Sequence, residues 1–388
     1  MKYNFEISHS RKNMEAAKWD EMDKNVGNDV VPLSVADMEL LTAPEIIQEL
    51  KETAEFGMYG YTWWGDRYAE AVKHWMKTRH NWEIQREWLI QTNGVVQGLY
   101  AAVRAYSEPG DGVLIQTPVY YPFYRAVAMN KRKIIESEVR LINGKYEIDF
   151  EDFEEKAKQS KIFMLCNPHN PLGRVWTEDE LRRMGEICIR HDVLIVSDEI
   201  HFDIIMPSYK HTVFASISEE FAQHSVTLNA ASKTFSLAAL CIANAFIPNK
   251  ELYDKFDEEV NVSGCYTYSI FGVRALETGY MKCAGWVDQL NEHIYANYKK
   301  FKEFMAEKYP EVWVADLEGT YLAWFNCKCF GMEAKELAEY LRKEAYLYLD
   351  DGYIFGKCGE GFERINLACT TKVLNDALER FDRAMSKL

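Results

Sequence analysis

Four side chains that can do chemistry follow four short apolar runs of the sequence, each shortly after its run ends. They are an aromatic ring (Tyr120 or Tyr121), an amide (Asn167 or Asn170), a carboxylate (Asp198) and an amine (Lys233). In an open parallel sheet, ligands bind beyond the carboxyl ends of the strands. We therefore expect these four groups to converge on one crevice.

Pyridoxal phosphate is the cofactor that this set of groups suits. Its pyridine ring needs a face to stack on, its ring nitrogen an anion, its phenolic oxygen a donor and its aldehyde an amine. Asp198 would stay ionised although buried, because the pyridinium charge offsets the cost of desolvation. The phosphate would lie where Thr92-Asn93-Gly94-Val95-Val96-Gln97 opens a helix, since helix N-terminal amides bind anions and Gly94 allows close approach.

The apolar runs have the length and composition of buried strands. They are Gly112–Gln116, Ile162–Leu165, Val193–Ser197 and Ser225–Leu228. Amphipathic helix patterns lie between strands, among them Asp66–His80 and Thr177–His191, and Thr177 with Glu180 predicts a capping box. Alternating strands and helices predict an α/β fold with a mostly parallel sheet covered on both faces.

The pattern changes near Trp286 and predicts a smaller α+β domain. The predicted elements there are a helix over Val287–Lys308, strands over Trp313–Asp316 and Tyr321–Phe325, and helices over Ala334–Lys343 and Lys372–Lys387. Cys327 and Cys329 lack a nearby histidine or second cysteine pair at ligand spacing, so we interpret them as strand packing and predict no metal site.

The motifs resemble those of fold-type I pyridoxal-phosphate enzymes of the class I/II aminotransferase superfamily. In chain order they are YGYTWWG, TNGVVQG, TPVYYPFY, CNPHNPLGR, SDEIH, SKTF and ERINLA, and the resemblance runs from about Val35 to Leu388. VADMEL, NPHNPLGR and DEIH are most similar to the MalY/PatB carbon–sulfur lyases, a branch that includes cystathionine β-lyases and cystalysin-type cysteine desulfhydrases.

The resemblance implies aminotransferase fold type I. A large domain over residues 45–285 would hold a mostly parallel seven-stranded sheet and the cofactor. Both chain ends, residues 1–44 and 286–388, would form the smaller α+β domain.

The resemblance also implies roles at the cofactor. Lys233 would form the Schiff base, Asp198 would hold the pyridine nitrogen, and Tyr120 would stack on the ring. Asn170 would bind the phenolic oxygen. The residues expected at the phosphate are Gly94, Val95, Val96 and Ser232, joined by Tyr61 from the neighbouring subunit of a homodimer.

For the substrate, the resemblance implies a clamp on the α-carboxylate. Arg364 would hold this group in a fork-to-fork pair, helped by Asn170. Ala36 would also contact the substrate. The residues facing Cβ are expected to come from Val35–Leu40, Trp63-Trp64 and Tyr353–Phe355. Lys233 would remove the Cα proton, and Tyr120 or a water would protonate the departing sulfur.

Two positions depart from the pattern of the aminotransferase majority. His201 stands where most members have a tyrosine bonded to the phenolic oxygen, and Cys241 stands where many have an arginine on the phosphate. Both departures fit the lyase branch. His201 is either adjacent to the cofactor or a packing histidine.

Three further alternatives stay open at this point. Tyr121 competes with Tyr120 as the stacking ring, and Tyr59 competes with Tyr61 for the neighbouring site. Trp63-Trp64 either line the substrate entry or pack a subunit interface.

The expected reaction is β-elimination from L-cystathionine or a related S-substituted L-cysteine, giving pyruvate, ammonia and a thiol. An aminotransferase with the same cofactor site is the nearest alternative. A chiefly regulatory protein–protein role is a more remote one, since a MalY-type lyase can also contact a transcription regulator.

The composition of this chain of 388 residues limits the kinds of partner that it is expected to bind. Its formal charge of -15 argues against nucleic acid and anionic membranes. No apolar run reaches the ~18 residues of a spanning helix, and the start lacks a signal-peptide pattern. Nine cysteines without small-domain spacing indicate reduced thiols and a cytoplasmic location.

Overall fold

The computed structural model describes residues 2–20, 29–264 and 267–388. Parts of the predicted N-terminal segment, residues 1 and 21–28, thus lie outside the described residues. The helices are α1 (Pro44–Phe56), α2 (Asp66–His80), α3 (Val95–Tyr106), α4 (Pro122–Met129), α5 (Phe150–Ala157), α6 (Glu178–Arg190), α7 (Glu219–Gln223), α8 (Ala231–Thr234), α9 (Lys250–Val262), α10 (Ile270–Lys282), α11 (Ala284–Lys308), α12 (Ala334–Glu344) and α13 (Thr371–Met385).

The strands form one large sheet and two small ones. They are β1 (Val31–Pro32), β2 (Leu89–Thr92), β3 (Gly112–Thr117), β4 (Lys133–Ile142), β5 (Lys145–Ile148), β6 (Ile162–Cys166), β7 (Leu194–Asp198), β8 (Ser225–Asn229), β9 (Ala243–Phe246), β10 (Leu322–Asn326), β11 (Leu347–Tyr348), β12 (Asp350–Asp351) and β13 (Phe362–Asn366).

The large sheet has the order β2-β9-β8-β7-β6-β3-β4-β5. The strands β4, β3, β6, β7 and β8 are mutually parallel, and β9 runs against both β8 and β2. β2 therefore points the same way as the parallel set. The predicted α/β fold with a mostly parallel sheet is confirmed, and the carboxyl ends of β2, β3, β6, β7 and β8 share one edge.

The sheet has eight strands where seven were predicted. The additional strand, β5, pairs antiparallel with β4 through a two-residue turn, Asn143-Gly144. Both turn residues have positive φ, 50° and 79°, which the Asn-Gly pair adopts readily in a tight hairpin. This hairpin extends one edge of the sheet and leaves the order of the central strands unchanged.

The C-terminal part of the chain forms a separate antiparallel sheet, β10-β13-β12, flanked by α11, α12 and α13. The strand predicted over Trp313–Asp316 is wrong, because this segment makes only an isolated bridge, between Val314 and Phe325. Cys327 is buried after β10, whereas Cys329 is exposed in a short 3-10 turn.

The N-terminal segment reaches this C-terminal part of the chain. β1 pairs in parallel with β11, and Phe5 packs edge-on against Trp286 at 5.5 Å between ring centroids. The domain boundaries at residues 44 and 285 stay a prediction. Within the described ranges, no helix combines the length and the apolar character that crossing a membrane requires.

Two predicted helices agree closely with the structure. α2 spans Asp66–His80, as the periodicity indicates, and α6 begins after Thr177. The Thr177 hydroxyl accepts a hydrogen bond from the Glu180 amide at 3.2 Å, and the Glu180 carboxylate accepts one from the Thr177 amide at 2.8 Å. The capping box is therefore confirmed.

Replacing Thr177 by alanine should lower the free energy of unfolding by about 1 kcal/mol, because one amide at the start of α6 loses its acceptor. Urea denaturation followed by circular dichroism measures the change. Thr177→Ser keeps the hydroxyl and should retain most of the stability. Equal losses in both variants would contradict the capping role.

Candidate active site

The four groups singled out from the sequence meet at the carboxyl edge of the large sheet. Asp198 is the last residue of β7, Tyr120 and Asn170 follow β3 and β6, and Lys233 lies in the short helix α8 after β8. The amide of Tyr120 donates to the carbonyl of Asn170 at 3.0 Å, and that of Asn167 donates to the carbonyl of Asp198 at 2.9 Å. Backbone hydrogen bonds thus link the loops after β3, β6 and β7.

The amine of Lys233 is held by a backbone group from the far N-terminal part of the chain. Its Nζ donates to the carbonyl oxygen of Ala36 at 2.6 Å. Burial lowers the pKa of Lys233, and Arg364 adds to this effect, while Asp37 opposes it. A lowered pKa increases the share of neutral amine, the form that acts as nucleophile and base.

The carboxylate of Asp198 is buried with little to compensate its charge. Its Oδ1 accepts a hydrogen bond from the amide of Ile200 at 3.1 Å. Burial raises the pKa of Asp198 to about 7, although this hydrogen bond and the charge of Lys233 both oppose the shift. A cation placed against this carboxylate would restore its ionised form.

Arg364 reaches the crevice from β13 of the small antiparallel sheet. Its Nη1 donates to Oδ1 of Asn170 at 2.8 Å, and its Nη2 donates to the carbonyl of Ser34 at 3.1 Å and to the carboxylate of Asp350. Its Nε finds no partner among the described residues. The guanidinium is buried and held in a fixed orientation, which suits recognition of a carboxylate.

His201 lies among these groups rather than in a remote part of the core. Burial holds its pKa well below the usual range, with Lys233 and Arg364 contributing. Its Nδ1 is buried and unpartnered in the described part of the chain. Its ring meets the edge of Tyr321 at 5.6 Å, and the Tyr321 hydroxyl donates to the carbonyl of Ala36 that also holds Lys233. His201 is therefore a neutral imidazole beside the lysine.

The start of α3 offers an open cradle at the same edge. Gly94 has φ 153°, and no heavy atom of the described residues lies within 4 Å of where a Cβ would sit. This backbone conformation favours glycine, and the empty space beside it leaves room for a ligand. Val95 and Val96 follow as the first helical residues, and Ser232 stands next to Lys233 in α8.

The two tyrosines that competed for the neighbouring site differ in their surroundings. Tyr59 donates its hydroxyl to the carbonyl of Ala54 at 2.6 Å and packs against Phe271. Tyr61 is 93% exposed. Trp63 is also largely exposed, whereas Trp64 packs against Tyr68. Tyr61 is thus the more exposed of the two, and Tyr59, which is 57% exposed, makes both of these contacts within its own chain.

Comparison with known proteins places the chain in a family. The profile of the class I and II aminotransferases matches residues 28–381. The chain belongs to this family. Cystathionine beta-lyase PatB of Bacillus subtilis is 38% identical over 99% of this chain and 100% of its own length, and protein MalY of Escherichia coli is 30% identical over 91% of each. Within the family, the chain therefore falls in the MalY/PatB branch.

Solved structures of family members carry the same fold. Cystalysin from Treponema denticola, which contains pyridoxal 5'-phosphate, is 43% identical with a TM-score of 0.97 and complete coverage of both chains. The pyridoxal-phosphate-bound C–S lyase from Staphylococcus hominis is 29% identical with a TM-score of 0.92, covering 99% of this chain and 98% of that one. Fold type I is thereby confirmed.

Sequence reasoning missed a buried carboxylate, Asp203, that positions the lysine helix of this family member. Asp203 accepts hydrogen bonds from the Thr234 hydroxyl at 2.6 Å and from the Trp75 indole at 3.0 Å, and it lies 2.9 Å from Nε2 of His80. It thereby ties α8, which carries Lys233, to α2. An acid five residues after Asp198 in an apolar segment was the available signal.

A second missed contact supports the loop after β7. Glu199 is fully buried and lies 2.9 Å from Nε2 of His211, and it accepts hydrogen bonds from the Ser197 hydroxyl and the Phe214 amide. These contacts fix the backbone next to Asp198. The Asp198 side chain is thus oriented by its neighbour as well as by its strand.

Replacing Asp198 by asparagine should stabilise the cofactor-free protein far more at pH 8 than at pH 4. The folded-state pKa of Asp198, about 7, lies above the ordinary value of 3.8, so folding takes up a proton between these values. The free-energy cost of burying the Asp198 charge grows as the pH rises through this window and levels off above about pH 7, at roughly 4 kcal/mol. Asparagine carries no charge, so the variant avoids this cost.

Urea denaturation of the cofactor-free protein at both pH values measures this difference. Asp192→Asn is the matched control, because Asp192 is exposed and asparagine also adopts its positive φ of 55°. This control should respond equally at the two pH values. An equal gain for Asp198→Asn at pH 4 and pH 8 would contradict the raised pKa.

Proposed function

We propose that this chain is a pyridoxal-phosphate-dependent carbon–sulfur β-lyase that cleaves L-cystathionine or related S-substituted L-cysteines to pyruvate, ammonia and a thiol. The observation that carries the proposal is the convergence of a buried amine, Lys233, a buried carboxylate, Asp198, and a buried guanidinium, Arg364, in one crevice. The cystathionine β-lyase and C–S lyase relatives support the reaction type.

The residues of the crevice fit pyridoxal phosphate. Among the residues that the structure describes, Asp198 has no strong cationic partner, and a protonated pyridine nitrogen would supply one. The open space at Gly94 and the amides at the start of α3 suit a phosphate. The side chain of Lys233 lies in the same crevice and would form the Schiff base with the aldehyde.

The remaining contacts to the cofactor follow from the same arrangement. Tyr120 would stack on the pyridine ring, and Asn170 would bind the phenolic oxygen with His201 beside it. The phosphate would be held by Gly94, Val95, Val96 and Ser232 together with the partner's Tyr61.

The residues of this chain divide the work on the substrate. Arg364 and Asn170 would hold the α-carboxylate, and the neutral amine of Lys233 would take the proton from Cα. Bound pyridoxal phosphate supplies the electron sink that makes this proton acidic. Burial raises the pKa of the Tyr120 hydroxyl, which therefore stays protonated and can donate a hydrogen bond to the departing sulfur.

An aminotransferase reaction is the second candidate. A pyridoxal-phosphate-bound putative aminotransferase from Clostridium difficile is 39% identical with a TM-score of 0.97, covering 99% of this chain and 100% of that one. The two reactions share the site and differ in the fate of the cofactor. With L-cystathionine and no keto acid, a lyase turns over continuously, whereas an aminotransferase stops after one equivalent with pyridoxamine phosphate bound.

Lys233→Ala should abolish pyruvate formation from L-cystathionine, because the base at Cα is lost. A coupled lactate dehydrogenase assay measures pyruvate, and the absorbance of bound cofactor reports whether the variant still takes it up. Lys77→Ala, at an exposed lysine of α2, is the control and should keep wild-type turnover. Pyruvate production by the Lys233 variant would refute the assignment.

Pairing Lys233→Ala with Tyr61→Ala tests the homodimer and the shared site together. Each homodimeric variant should be impaired. A heterodimer isolated by two different affinity tags contains one site with both residues intact, so its activity should be about half that of the wild type. An inactive heterodimer would show that Tyr61 does not serve the neighbouring subunit.

A further inference from the structure

A cavity of about 550 Å³ lies beside the crevice, next to the residues expected to hold the amino-acid part of the substrate. Its lining residues are Tyr121, Tyr124, Arg125, Asp350, Tyr353, Ile354 and Gly356. Asp350 is the carboxylate that binds Arg364, and the ring of Tyr121 lies 5.3 Å from that of Tyr120. The cavity therefore adjoins the proposed substrate site.

Arg125 lines the cavity and carries a positive charge that no acidic side chain of the described residues pairs with. Its guanidinium carbon lies 5.3 Å from the centre of the Tyr121 ring, and within the described ranges it forms no ion pair. The charge of Asp350 is compensated by Arg364. The hydroxyls of Tyr124 and Tyr353 donate to Glu136 and Asp351. Arg125 is exposed at this cavity, so an anionic group that enters the cavity can reach its guanidinium.

We propose that this cavity holds the leaving part of the substrate and that Arg125 binds a carboxylate on it. The inference rests on the proposed lyase function and narrows its substrates to S-substituted cysteines with an anionic leaving thiol. A guanidinium binds a carboxylate through two parallel hydrogen bonds, and stacking on Tyr121 orders it beforehand. The tyrosine rings and Ile354 provide an apolar wall for the methylene carbons between sulfur and carboxylate.

Two substrates that are equal in size but differ in charge test the contact with Arg125. S-(2-carboxyethyl)-L-cysteine ends in a carboxylate, and S-(3-methylbutyl)-L-cysteine carries an uncharged branched group of the same heavy-atom count. The wild-type protein should prefer the first by kcat/KM. Arg125→Gln should lower kcat/KM for the carboxyethyl substrate about fivefold, the effect of a partly exposed ion pair, and leave the methylbutyl substrate unchanged.

Two variants serve as controls. Arg125→Lys keeps the charge and should retain most of the preference, which a purely structural role of the side chain would not predict. Arg183→Gln removes another exposed arginine, whose guanidinium carbon lies 3.9 Å from the ring centre of Phe150 on α5. It should leave both substrates unaffected. The preference of the wild-type protein for the carboxyethyl substrate should also decrease at high salt, because salt screens a partly exposed charge pair.

Binding without turnover gives a second readout. In the Lys233→Ala background, calorimetry should show a dissociation constant for S-(2-carboxyethyl)-L-cysteine that rises about fivefold when Arg125→Gln is added. An unchanged constant, or equal losses for both substrates in Arg125→Gln, would overturn the inference. Absence of turnover of either substrate by the wild type would instead refute the lyase function, and the calorimetric comparison would still decide the role of Arg125.

Discussion

The buried carboxylate of Asp198 imposes the main electrostatic constraint on this protein. Its strand end excludes water, and the nearby Lys233 compensates its charge only in part, so the pKa of Asp198 rises to about 7. The same burial lowers the pKa of Lys233. Burial thus disfavours the charged form of both groups, and a bound cation opposite Asp198 would reverse this for the carboxylate.

The rest of the structure serves to bring distant segments to this pair. The carbonyl of Ala36 accepts hydrogen bonds from Lys233 and Tyr321, residues 197 and 285 positions away. Arg364 comes from the small sheet and binds Asn170 across 194 positions. The N-terminal segment, the large sheet and the small sheet therefore each contribute one side of the crevice, and none of them contains a complete site.

Local patterns in the sequence predicted the elements that depend on local forces. The helix over Asp66–His80 and the capping box at Thr177 follow from periodicity and from backbone amides that need acceptors. The Asn143-Gly144 pair is itself a local hairpin signal, although the predicted seven-stranded sheet does not include the strand that follows it. Together with the motif order, these patterns were sufficient for the fold class.

Contacts between distant segments could not be predicted from local patterns in the sequence. No spacing connects Asp203 with Thr234 or Ala36 with Lys233, because these pairs form only after the sheet and its loops are assembled. The difference between Tyr59 and Tyr61 likewise arises from packing against Phe271. Site residues at strand ends could be expected from topology, whereas the residues that support them required coordinates.

The charged residues beside the substrate site favour a substrate with two carboxylates. Arg364 binds Asp350, so a substrate α-carboxylate on Arg364 would place two anions around one guanidinium. Arg125 lines the same cavity as Asp350 and adds a second positive charge there. With a neutral leaving group, the exposed guanidinium of Arg125 would stay hydrated and gain no partner. An anionic leaving group would pair with Arg125, while the α-carboxylate would pair with Arg364. The charges of the site and of a substrate with two carboxylates would then compensate each other.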